Sequence, residues 1–131
     1  MALKTEDVGR ERYSVYLSKA AEFYALMKNA EEKELWNGVG LNAIHCAISS
    51  CDALTTFYLG LRSRGEKHED IVQLMKRVRA SGIEERIKQL LDVLAIKNLV
   101  EYEALELGEK DARNAAKQAE RIYLWAKQTL P

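Results

Sequence analysis

Three polar groups, Lys97, Asn98 and Tyr102, interrupt the otherwise apolar or acidic run "AIKNLVEYEAL" at residues 95–105. On one continuous helix Asn98 and Tyr102, one turn apart, share a side while Lys97 stands between the two apolar faces; an ammonium, a carboxamide and a phenol so placed could hold a small polar ligand. A second constellation lies in "AIHCAISSCDALTTF": His45, Ser49, Asp52 and Thr56 fall at i, i+4, i+7 and i+11, one narrow polar stripe. His45 in it is a candidate base for proton transfer. A third is the basic turn "RSRGEKH", in which Arg62, Arg64, Lys67 and His68 precede a helix start and form a candidate anion site.

Each group also has a structural use. Lys97 can pair with Glu101 one turn on, its stem lying along apolar surface. Asp52 in an apolar helix needs a hydrogen bond or a cation, and Lys97 and Tyr102 are candidates for it. His45 can be a satisfied core histidine, and Asn98 a polar pin that fixes helix register. The basic turn can be simply solvated, weakened as an anion site by Glu66, Glu69 and Asp70. Arg62 and His68 flank a glycine-containing turn, so they do not share a helical face.

Several chemistries are excluded as expectations. The chain has no Cys-x-x-Cys, His-x-x-x-His or Glu-x-x-His, so neither a metal site nor a cofactor is expected. "NGVG" follows no strand and is too short for a phosphate loop. Twenty Lys plus Arg balance twenty Asp plus Glu, which argues against a dedicated non-specific DNA binder. Cys46 and Cys51 would point about 140° apart on a helix and cannot pair there. The uncharged stretch from Val39 to Cys51 contains Asn42, His45 and Ser49, so no membrane span is expected. The opening residues carry no apolar leader. A reduced, cytoplasmic protein follows as the expectation.

These groups must be positioned by helices, because 131 residues contain one proline, at the last position, and seven glycines. Residues 1–9 read as a flexible arm, and 10–131 as a single domain. Tyr13, Tyr16, Leu17, Ala20, Phe23, Tyr24 and Met27 predict an amphipathic first helix from about Arg10 to Lys33. "WNGVG" breaks it. A second helix is expected from Val39 to Leu59, ended by Gly60, and a third from His68 to Arg79. Ser81-x-x-Glu84 has the form of a capping box and opens a fourth. That helix is expected to run to Leu107, with Gly108 past its end. The fifth, from Asp111 to Leu130, carries alanines on one face, which suits close packing. The fold class is therefore all-α: a single up-and-down antiparallel bundle of about five helices. Helices two and four are apolar nearly all round, which predicts a partner outside the bundle, most simply a twofold homodimer through those two helices. If they are neighbours, His45, Ser49, Asp52, Lys97, Asn98 and Tyr102 line one cleft.

The order "YLSKAAEFYALM", "AIHCAISSCDALTTFYLG", "GEKHEDIVQLM", "LLDVLAIKNLVEYEAL" and "AAKQAERIYLWAKQTL" resembles the HEPN superfamily of small helical domains, from about Tyr13 to Leu130. Active members are metal-independent ribonucleases with an Arg, a following polar residue and a His, contributed from two protomers to a dimer cleft. The matching positions here are Lys97, Asn98 and Tyr102. Tyrosine in place of histidine moves the proton acceptor from about 6.5 to about 10, a handicap of roughly 5 kcal/mol. Lysine loses the planar fork that holds a phosphate bidentately. The resemblance thus implies a degraded ribonuclease site and a non-catalytic dimeric binding or interaction module. A nucleotide, RNA or a nucleotidyltransferase-type protein is the implied partner. The alternatives are a toxin-like ribonuclease using His45 or His68 as base, and a purely structural helical dimer.

Overall fold

The computed structural model describes residues 3–64, 68–101 and 105–131, the backbone alone at 68, 98 and 101. It is an all-α bundle built round one central helix. That helix, α2 (Trp36–Leu59), buries residues from Val39 to Thr56, because its sequence offers apolar or small side chains on nearly every face. α1 (Tyr13–Glu32) lies along it, with Ala20 and Met27 fully buried and Tyr16, Leu17, Phe23 and Tyr24 packed against the same core. The predicted stripe on this helix is the face that is buried. α6 (Glu109–Thr129) covers another side with Ala112, Ala115, Ala116, Ala119, Ile122 and Ala126. Alanines let two helix backbones approach closely. α3 (His68–Met75), α4 (Ile83–Leu94) and the short α5 (Lys97–Glu101) complete the wall.

α2 stops at Gly60, as predicted. Gly60 takes φ 67°, and its N–H bonds back to the Thr56 carbonyl at 2.9 Å. Only glycine enters this left-handed conformation without a steric cost, so the chain reverses there. "WNGVG" does not break a helix as expected. Trp36 begins α2 and the glycines lie in its first turns. Their use is proximity: a Cβ on Gly40 would overlap Leu107 Cδ2 and stand 3.2 Å from Val100 and 3.4 Å from Ile96.

Two strands interrupt the helices. β1 (Thr5–Asp7) pairs antiparallel with β2 (Leu61–Ser63), Thr5 opposite Ser63 and Asp7 opposite Leu61. Flanking bonds from Val8 N–H to the Gly60 carbonyl and from Arg64 N–H to the Lys4 carbonyl extend the ladder. Residues 5–7 of the segment expected to be a flexible arm are thus paired with the chain that leaves α2. Part of the expected basic turn is strand.

The fourth predicted helix is the largest correction. It ends at Leu94. Residues 95 and 96 form a turn, with Ile96 N–H bonding the Val93 carbonyl, and α5 begins at Lys97. Lys97 therefore opens a new helix rather than interrupting an old one. Ile96, in this turn, and Val100, in α5, both lie against Gly40. Gly108, expected past the end of that helix, is the extended residue that precedes α6. Ser81 makes no capping bond; Gly82, at φ 88°, precedes α4 instead. α3 is likewise shorter than predicted, ending at Met75.

α2 is covered within the chain itself, by α1, α6 and the shorter helices. Its apolar circumference is explained by its central position. α4 buries Gln89, Leu90 and Val93 and leaves Leu91 half-exposed.

Candidate functional site: a buried carboxylate and its ring of partners

The polar stripe on α2 faces α1, not the fourth helix. His45 is half-buried, its ring stacked on Phe23 with centroids 5.1 Å apart. Ser49 lies one turn on and is nearly covered, and Asp52, one turn further, is 4% exposed. Thr56 Oγ1 is buried and has no hydrogen-bond partner among the described residues.

A carboxylate so deeply placed needs a cation. Tyr102, one of the partners expected for it, lies outside the described residues. Arg62, in β2, supplies the cation: its Nε donates to Asp52 Oδ2 at 3.3 Å while its Nη1 donates to Glu6 Oε1 of β1 at 3.1 Å. The guanidinium also lies 5.1 Å from the centre of the Tyr16 ring, which the Lys19 ammonium approaches at 5.7 Å. One arginine thus joins α2, both strands and α1. Burial pushes the Asp52 carboxyl up to about 6, against the opposing pull of Arg62 and, more weakly, Lys19. Chemically this is an acid–base group poised near neutrality, but Arg62 and α1 cover it. Its evident work is to fasten the ribbon and α1 to the end of the central helix.

The other candidates fall elsewhere. Lys97 is half-buried at the start of α5. The neighbours of α5 on α2 centre on Gly40, twelve residues before Asp52, or about 18 Å along the axis and roughly 120° round it. The single cleft expected from helices two and four is therefore not formed: the structure puts His45, Ser49 and Asp52 on one side and Lys97 on another. Tyr102 and the Asn98 side chain lie outside the described residues. Of the candidate anion site, Arg62 is committed to two carboxylates. Arg64 is exposed, His68 opens α3, and Lys67 and the His68 side chain lie outside the described residues.

Sequence reasoning missed Glu6, Tyr16 and Lys19. One signal was available: Asp52 required a hydrogen bond or a cation, and Arg62 is the first cation after the Gly60 turn. Glu6 carried no such signal, since its partner lies fifty-six positions away.

The two thiols are structural. Burial pushes Cys46 up to about 12 and raises Cys51 still further. A thiol reagent should therefore leave the folded protein unlabelled near neutral pH and modify both cysteines once denaturant is added. The thiolate population of Cys46 is about a thousandfold below that of an exposed cysteine. Rapid labelling of the native protein, followed by mass spectrometry, would contradict this.

Among the described residues, no cluster of three His, Cys, Asp or Glu side chains is placed to hold a metal, and no helix is long and apolar enough to cross a membrane. Compared with known proteins, the chain matches no family model and no curated protein.

Proposed function

We propose that this chain is a non-catalytic, dimeric binding module of HEPN type. The observation that carries the reading is the fate of the would-be catalytic groups. Asp52 is held by Arg62, and His45 lies flat on Phe23, so both act as fasteners of the bundle. Lysine and tyrosine at positions 97 and 102, where the resemblance puts arginine and histidine, agree with that. The α4 side of the molecule offers a surface for a second copy. Leu91 is 50% exposed, and a groove of about 280 Å³ runs between α3 and α4, lined by Val72, Gln73, Leu91 and Leu94. An apolar groove with a half-exposed leucine at mid-helix is a surface that association would cover. A nucleotide or another small polar ligand would be taken beside Lys97.

Sedimentation over a wide concentration range tests the dimer. The wild type should sediment at twice the monomer mass and Leu91→Glu at the monomer mass, with equal melting temperatures at low concentration. A wild type that stays monomeric throughout refutes the interface. Ligand binding is tested separately by thermal unfolding with mixed nucleotides. A ligand at a hundred times its Kd adds about 2.7 kcal/mol, and Lys97→Ala should abolish that gain. No gain with any nucleotide removes the nucleotide from the reading.

A further inference from the structure

The link between α1 and α2 places a non-glycine residue in a left-handed conformation. α1 closes with two bonds, from Leu35 N–H to the Ala30 carbonyl at 2.9 Å and from Glu34 N–H to the Glu31 carbonyl at 3.1 Å. This closure requires a left-handed residue at 34, normally glycine. Glu34 occupies it at φ 57°. A side chain held there costs stability, and such strain concentrates where the side chain is used.

Glu34 stands on the lip of a groove of about 310 Å³ at one end of the bundle. Leu35 and Trp36 form one wall, Glu106 and Leu107 the other. Asn37 Oδ1 accepts the Leu107 N–H at 2.8 Å and holds the walls together. Leu35 is 56% exposed and Leu105, next to Glu106, 64%, the two highest values for large apolar side chains among the described residues. Leucines so open to water are a cost unless something covers them.

Charge selects the occupant. The chain as a whole is neutral, yet the two stretches that meet here, 31–34 and 106–111, carry six carboxylates against two lysines. Arg113, whose guanidinium lies 4.8 Å from the centre of the Trp36 ring, is already held by Glu109 at 2.8 Å and Glu31 at 3.5 Å. The amino end of α2 adds only about half a positive charge. The remaining field repels phosphate and attracts ammonium or guanidinium groups.

The geometry points to a docking groove for a basic, apolar segment of a partner protein, leucine-like side chains lying on Leu35 and Trp36 and a lysine or arginine reaching Glu34 and Glu106. This surface is separate from the α4 face, so either can fail without the other.

The test uses the full chain carrying Trp125→Phe, so that emission reports Trp36. A short amphipathic Leu/Lys peptide should perturb Trp36 and bind more weakly as salt rises. Glu34→Gln with Glu106→Gln should weaken it about tenfold or more. Glu34→Gly, which relieves the strain, should raise the melting temperature by about 4 °C while weakening the peptide. That opposite movement separates docking from a structural role. A Leu/Glu peptide and a single-stranded RNA serve as the competing occupants. Equal binding of the Leu/Glu peptide, a Trp36 response to the RNA alone, unchanged affinity in the double variant, or no response to the Leu/Lys peptide overturns the proposal.

Discussion

Replacing Arg62 by leucine is expected to remove about 3 kcal/mol of stability near neutral pH and far less in mild acid. The variant leaves Asp52, 4% exposed, with no arginine to face it. A buried carboxylate without a cation takes up a proton rather than remain charged, so its pKa rises beyond the value of about 6 that it has beside Arg62. The direction of the pH dependence follows from linkage. A folded-state pKa above the unfolded value means that the folded form binds the extra proton. The stability that this contributes is complete below the unfolded value, near 3.8, and is lost as pH rises through the folded value. In the wild type that loss spans about pH 4 to 6 and amounts to roughly 3 kcal/mol. In Arg62→Leu it continues through neutrality. The gap between the two proteins should therefore open above about pH 6 and nearly close below pH 5. Asp52→Asn, which cannot titrate, should show neither slope. Urea unfolding at several pH values measures all three. A gap that is constant from pH 4 to 8 would mean that Arg62 acts by packing on Tyr16 and pairing with Glu6, not by holding the carboxylate.

The second large effect is expected at Gly40. Valine there must displace Leu107, whose side chain already occupies the position of the added Cβ, and press on Val100 and Ile96. Leu107 is not free to yield: it is 6% exposed, and its N–H is fixed to Asn37. Overpacking of this kind costs about 3 kcal/mol, or about 10 °C in melting temperature for a chain of this length. The identification of Leu107 as the obstacle is checked by the double variant. Gly40→Val with Leu107→Ala should recover more than 1 kcal/mol relative to the sum of the single changes. Strict additivity would show that the clash lies elsewhere. Gly40→Ala is expected to be milder, since the gain in helix propensity of about 1 kcal/mol offsets part of the overlap.

The helices were legible where their signal is local. The stripe from Tyr13 to Met27, the small-residue face of α6 and the stop at Gly60 each arise from residues within a few turns of one another. The end of the fourth helix was not legible, because "LAIKNLVEYEAL" keeps a helical period across the turn at 95–96. The break coincides with the packing of Ile96 and Val100 on Gly40, more than fifty residues earlier. The strands were missed for a related reason. Three residues are too few to show alternation, and Thr5–Asp7 is defined only by its partner across the ladder.

The same division runs through the candidate site. By itself the sequence determined that α2 is apolar enough to be central, that Asp52 on it must be hydrogen-bonded or paired, and that one narrow stripe gathers His45, Ser49 and Asp52. These follow from helical geometry and the cost of burying charge. Only the tertiary structure decided that the cation is Arg62, that the stripe looks toward α1, and that Lys97 belongs to another face of the molecule. Those choices depend on which elements meet, and long-range meetings are set by the fit of whole surfaces, which no local spacing encodes.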